Sequence, residues 1–180
     1  SRWGAWWRDR PSHHRDMPLT ELLTLAQEGS GDGTYAVGHN RLFEALPALL
    51  DDVRVLPGQE RIVHPSLWIG PAGTLTPLHF DPGSAWLVQR AGQKRVHLAS
   101  PLEHGLLETA IDGSYNSVRP SALSDEERAA RGFTTVELGP DDALWIPATW
   151  WHEVASLTPS ISVRTAGFRW PDDLAHHVFV

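Results

Sequence analysis

Three side chains in this 180-residue chain have the types and spacing of a mononuclear metal site: His79, Asp81 and His152. In an extended strand, residues i and i+2 project to the same face, so His79-Phe80-Asp81 presents an imidazole and a carboxylate side by side. Pro82 disfavours a helical conformation at Asp81 and pushes it toward the extended geometry this pair needs. Two imidazoles and one carboxylate on one face of an iron ion leave three positions open, enough for a bidentate oxo-acid and dioxygen. A catalytic zinc site needs only one open position, for water. For His152 the competing reading is a core histidine bonded to a backbone carbonyl.

The elements that must position these residues are mostly strands. Arg61–His64, Ser66–Gly70, Pro77–Asp81, Ser84–Arg90, Lys94–Ala99, Thr134–Leu138, Ala143–Ile146, His152–Ser156 and Ser160–Thr165 are short apolar or alternating runs separated by Gly, Pro or Asp. Many short, closely spaced strands predict a mainly β architecture, a jelly roll of two facing sheets with a few flanking helices. His152 opens a strand that lies beside the one bearing His79 in such a roll. Before the β-rich body, Leu22, Leu25 and Ala26 share one face of a helix beginning near Pro18 and stopped by Gly29. A short strand follows over Thr34–Val37, then a second helix over Arg41–Leu50, limited by Pro47. The chain therefore divides into a flanking arm, residues 1–60, and a jelly-roll core, residues 61–180, within a single domain. Ser100–Pro140 is long for a hairpin connection, and long connections often carry binding function. Within it, Ser124-Asp125-Glu126-Glu127 is a capping box that starts a surface helix ending near Gly132.

Composition narrows the chemistry. There is no cysteine, which excludes disulfides, thiolate zinc sites and cysteine nucleophiles. A net charge of −7 argues against a nucleic acid partner or an anionic membrane surface. No run is long enough to span a membrane, and Ser1–Trp7 is aromatic and carries Arg2, unlike a cleavable apolar leader. Cytoplasmic residence is the default expectation. Nine tryptophans, clustered at Trp3, Trp6 and Trp7 and again at Trp145, Trp150 and Trp151, read first as core and second as pocket wall.

Two blocks carry a family resemblance. Trp68-Ile69-Gly70-Pro71-Ala72-Gly73-Thr74-Leu75-Thr76-Pro77-Leu78-His79-Phe80-Asp81 resembles the first metal-binding block of JmjC-type, cupin-like hydroxylases, and Asp142–His152 resembles the second. Their occurrence in order is more specific than either alone. The resemblance covers about residues 20–170 and implies a double-stranded β-helix holding Fe(II), with 2-oxoglutarate as co-substrate and O2 as oxidant. It further implies that Lys94, fifteen residues after His79, grips the distal carboxylate of 2-oxoglutarate, with Thr76 and Tyr35 completing the grip. From the residues alone, Lys94 in Gln93-Lys94-Arg95 reads as a solvated charge. Ala85 stands where several relatives carry asparagine, and Arg164 where some carry asparagine or serine. Arg164 is open to three partners: the co-substrate carboxylate, an acidic substrate, or Asp81. Relatives usually carry more residues before the first helix, so the resemblance implies a longer natural chain.

The implied reaction hydroxylates a C–H bond, with release of succinate and CO2; on an N-methyl group the same chemistry ends in demethylation. A peptide or protein side chain is the first expected substrate and a natural-product metabolite the second, with Tyr115-Asn116, Trp150-Trp151, Glu153 and the N-terminal arm as candidate contacts. The alternatives are a metal-binding cupin of other chemistry and a non-catalytic interaction module. Retention of Lys94, Thr76 and Tyr35 argues against the first. An intact triad argues against the second.

Overall fold

The computed structural model of the protein describes residues 16–29, 42–53, 63–107, 111–112 and 114–167. It opens on helix α1 (Leu19–Glu28), which ends where the Gly29 N–H returns to the Leu25 carbonyl. The single helix expected over residues 41–50 is two pieces, α2 (Leu42–Ala45) and a 3-10 turn (Pro47–Asp52). Pro47 has no N–H to continue an α-helical ladder but is well placed as the first residue of a new turn, so the break falls there. The strand expected over Thr34–Val37 lies outside the described residues.

Ten strands follow among the described residues: β1 (Val63–Gly70), β2 (Leu75–His79), β3 (Ser84–Ala91), β4 (Lys94–Ala99), β5 (Ile111–Asp112), β6 (Tyr115–Asn116), β7 (Thr134–Leu138), β8 (Ala143–Ile146), β9 (Trp151–Ser156) and β10 (Ser160–Gly167). They form a four-stranded sheet in the order β1-β10-β3-β8 and a six-stranded sheet in the order β5-β6-β2-β9-β4-β7. This is the jelly roll of two facing sheets that the strand pattern predicts, and the double-stranded β-helix that the resemblance implies. Two boundaries differ from expectation. The runs before and after Pro65 are one strand, with a register shift between Val63 and Ser66, because proline cannot donate to the ladder and a bulge absorbs it. β2 stops at His79, and Asp81 lies just beyond it, ahead of the bend at Pro82-Gly83.

Side chains of both sheets meet in an interior cluster of Leu87, Val96, Leu98, Leu138 and Ile146. α1 and α2 cover the outer face of the four-stranded sheet, where Ala26 and Phe43 pack on Leu67, Ile69 and Val163. The outer face of the six-stranded sheet is covered by the connection between β4 and β7: Leu106, Val118 and Phe133 pack there on Leu78, Ala99 and Trp151. That connection contains α3 (His104–Leu107), a 3-10 turn (Pro120–Ala122) and α4 (Asp125–Ala130). α4 begins at the expected capping box, with Ser124 Oγ accepting from the Glu127 N–H at 3.2 Å and Glu127 Oε2 accepting from the Ser124 N–H at 2.8 Å. It ends at Gly132, whose φ of 72° is the left-handed closure glycine permits without steric cost. No described helix is long and apolar enough to cross a membrane.

Candidate metal centre

His79 closes β2 and His152 is its partner across the ladder on β9, which sets the two imidazole centroids 4.1 Å apart. Asp81 reaches the same point from just beyond the strand end. One ligand atom from each of the three residues lies within 4.8 Å of the others, and Asp81 Oδ2 is 3.8 Å from His152 Nε2. Both imidazoles are oriented by their own strands. Nδ1 of His79 donates to the Pro77 carbonyl at 2.8 Å, and Nδ1 of His152 donates to the Trp150 carbonyl at 2.9 Å. A carbonyl can only accept, so the proton sits on Nδ1 and the Nε2 lone pair is left for a metal. The carbonyl bond of the competing reading for His152 is thus present, and it uses one ring nitrogen while leaving the other available.

Charge states agree with this arrangement. Burial, helped by His79 beside it and opposed by Asp81, holds His152 down at about 3. Burial also lowers His79, with Asp81 opposing. Both rings are neutral near pH 7. Burial pushes Asp81 up, but the Arg164 guanidinium, then His152 and His79, outweigh it and hold the carboxyl below the usual range. Two neutral imidazole nitrogens and one carboxylate converging from one side are a donor set suited to a divalent first-row metal with open positions.

The Asp81 segment is tied to the loop that leads into β9. The Thr149 N–H donates to the Asp81 carbonyl at 2.8 Å, and Ser84 Oγ accepts from the Ala148 N–H at 3.1 Å. Thr149 makes its bond with φ at 63°, a conformation costly for a β-branched residue.

A second polar feature lies deeper between the sheets. Lys94, at the start of β4, is only 6% exposed, and its Nζ donates to Ser162 Oγ on β10. Among the described residues no carboxylate pairs with it. Burial lowers its pKa to about 8. The ammonium faces a narrow cleft that Trp68, Thr74, Thr76, Val154 and Ser156 also line. Thr76 and Lys94 thus line the same cleft. The solvated charge suggested by the flanking polar residues is not what forms, because strand alternation turns Lys94 inward with Val96 and Leu98 while Arg95 faces outward to Glu137. Ser162 was passed over at the sequence level in favour of Arg164. Strand alternation puts both on one face: Ser162 meets Lys94, while Arg164 Nη2 donates to Asp81 Oδ2 at 2.7 Å. Of its three possible partners, Arg164 thus takes Asp81. Tyr35 lies outside the described residues.

The other candidates separate by face. Tyr115 on β6 stacks on the His79 ring, centroids 5.4 Å apart. Asn116 is instead buried and structural, donating to the Leu106 carbonyl and accepting from the Val118 N–H. Glu153 alternates with His152, faces the β4–β7 connection, and accepts from the Ser121 N–H at 2.8 Å. Trp151 belongs to the same outer cluster, whereas Trp150 packs on the interior one. Leu87 reaches the interior as a pocket wall would. Trp86 turns to the opposite face and meets Trp145 at 5.2 Å.

Comparison with known proteins agrees with this architecture. The family described as "Cupin-like domain" matches residues 7–165. The chain is 33% identical over 150 residues to "Jumonji C domain-containing protein 5" of Drosophila melanogaster, covering 74% of this chain and 37% of that protein. It is 28% identical over 173 residues to "Lysine-specific demethylase 8" of Xenopus tropicalis, covering 89% of this chain and 39% of that one. The chain thus spans about two fifths of the length of these relatives. A solved structure of E. coli ycfD superposes with a TM-score of 0.52 at 19% identity, covering 94% of this chain and 54% of the other, which supports the fold. Fold, paired motif blocks and family match agree: the chain belongs to the JmjC/cupin-like family.

Proposed function

We propose that this protein is an Fe(II)- and 2-oxoglutarate-dependent oxygenase that oxidises a C–H bond of a peptide or protein side chain. The observation that carries the reading is the pairing of two features in one barrel: the His79/Asp81/His152 triad and the buried Lys94 ammonium, which has no carboxylate partner among the described residues. A metal-binding cupin of other chemistry has no use for the second. An uncompensated buried cation is costly, and a small dicarboxylate in the cleft removes the cost.

His79, Asp81 and His152 would hold the iron, which when bound supplies the redox chemistry that couples decarboxylation of 2-oxoglutarate to substrate oxidation by O2. Lys94, supported by Ser162, would pair with the distal carboxylate, and Thr76 would donate its hydroxyl to the same group. Tyr35 stays a proposed third contact on the strength of the sequence resemblance. Arg164 adds a second cation to the same interior. The apolar interior cluster excludes water from the co-substrate. Tyr115, stacked on His79, would flank a substrate bound at the centre. A protein substrate is favoured over a metabolite by the Xenopus relative, whose name makes it a lysine-specific demethylase. Hydroxylation and demethylation share the C–H oxidation and diverge only in what the target carbon bears.

The test is anaerobic titration of the protein with Fe(II) and 2-oxoglutarate, followed by visible absorption of the metal–oxo-acid chelate. A band that appears in the wild type and is lost in His152→Ala supports the assignment. Iron binding without the band means a cupin of different chemistry.

A further inference from the structure

Arg164 stands apart from the other residues around the centre because it brings a permanent positive charge to a site built to hold a dication. Its guanidinium donates to Asp81 Oδ2 at 2.7 Å, the same oxygen that lies 3.8 Å from His152 Nε2. With both imidazoles neutral, Asp81 is the one anionic group of the triad, and Arg164 offsets it. An arriving cation meets a centre whose charge is already balanced and must share or take over the carboxylate. Charges this close, under partly buried side chains, interact far more strongly than in water.

The same strand carries a second consequence. Ser162 and Arg164 are two residues apart on one face of β10, so the Lys94–Ser162 and Arg164–Asp81 contacts are spaced by about 7 Å along the strand. A five-carbon dicarboxylate spans a comparable distance. In the ladder Arg164 faces Leu87, and Ala85, two residues along β3, is its diagonal neighbour.

We propose that Arg164 is a positioning residue that moves two affinities in opposite directions, weakening the hold of the triad on a divalent metal and strengthening the hold of the metal-loaded protein on an anionic co-substrate. The second half rests on the proposed function. The first depends only on the triad and the Arg164–Asp81 pair.

Arg164→Gln tests this, because glutamine keeps a hydrogen bond donor for Asp81 while removing the charge. Arg164→Lys keeps the charge and serves as the second variant, with far-UV circular dichroism checking the fold of both. Manganese(II) binding is read from the paramagnetic resonance of the free ion, and 2-oxoglutarate binding to the manganese-loaded protein by calorimetry. The Gln variant is expected to bind manganese about tenfold more tightly and 2-oxoglutarate at least about tenfold more weakly, while the Lys variant keeps wild-type order in both. A merely structural role would weaken both together. Manganese affinity in the Gln variant equal to or below wild type overturns the proposal, as does an unchanged 2-oxoglutarate affinity. A wild-type protein that takes up manganese but no 2-oxoglutarate counts against the proposed function instead, and the manganese shift still decides whether Arg164 opposes the metal.

Discussion

The Thr149 N–H donates to the carbonyl of Asp81 at 2.8 Å, so the loop that delivers His152 is fastened to the residue that completes the triad. Thr149 holds this contact at φ 63°, where a β-branched side chain is strained by roughly 1–2 kcal/mol. Thr149→Gly relieves that strain and adds chain entropy to the unfolded state, and is expected to leave stability within about 1 kcal/mol of wild type with metal binding intact. Thr149→Pro removes the donor and cannot adopt a positive φ. It should cost on the order of 3 kcal/mol and abolish manganese binding. Urea denaturation and metal titration of both variants check the pair of outcomes.

His79→Ala and Asp81→Ala are expected to abolish metal-dependent turnover while the far-UV spectrum stays native. Neither side chain belongs to the apolar clusters that hold the sheets together. Turnover near the wild-type level in either variant would remove the triad from the reaction.

Lys94 gives the ion-free protein a distinctive pH profile. Its pKa is lowered by burial from 10.5 to about 8, so below pH 8 the folded state bears the full cost of a buried ammonium. Between pH 8 and about 10.5 the unfolded chain binds more protons than the folded one, and stability rises with pH across that window. Lys94→Met should raise the stability of the ion-free protein at pH 7 by up to about 3 kcal/mol and flatten the profile. Its affinity for 2-oxoglutarate should fall at least about tenfold. Wild-type affinity should decline above pH 8 as the ammonium deprotonates. A Met variant that is less stable and binds the co-substrate normally would mean that the lysine is there for packing alone.

Glu153 is fully buried, and burial raises its carboxyl pKa despite the bonds from Ser121. A carboxylic acid raised in the folded state loses stability as pH climbs from its ordinary value of 4.5 through the folded one. Glu153→Gln keeps the acceptor for the Ser121 N–H without a charge. Its melting temperature should exceed wild type at pH 7 and match it at pH 4. Equal melting temperatures at both values would show that Glu153 carries its charge without cost.

The triad was legible because its requirements are local. Two ligands two residues apart and a third opening a later strand survive errors of a residue or two in strand ends, which is why Asp81 joins the site although β2 stops at His79. The capping box of α4 was legible for the same reason, since Ser124 and Glu127 satisfy each other within one turn. Facing direction was not legible in the six-stranded sheet. Around the site both faces of β9 are buried, one by the opposite sheet and one by the β4–β7 connection, so nothing in Trp151-His152-Glu153 marks inside from outside. Glu153 and Asn116 read as substrate contacts for want of that mark. Ser162 was missed because its role depends on Lys94, sixty-eight residues away.

The β4–β7 connection has one more implication, for how such barrels change over time. Leu106, Val118 and Phe133 from this segment pack in one cluster with Leu78 and Trp151, which adjoin His79 and His152 in sequence. Tyr115, from the same segment, rests on His79 itself. A surface loop of this length would ordinarily be exchangeable, trimmed or grafted without disturbing its scaffold. Here it is not an accessory: swapping the segment would also have to rebuild the wall behind the strands that carry His79 and His152, so on the proposed function target choice and metal retention would be inherited together.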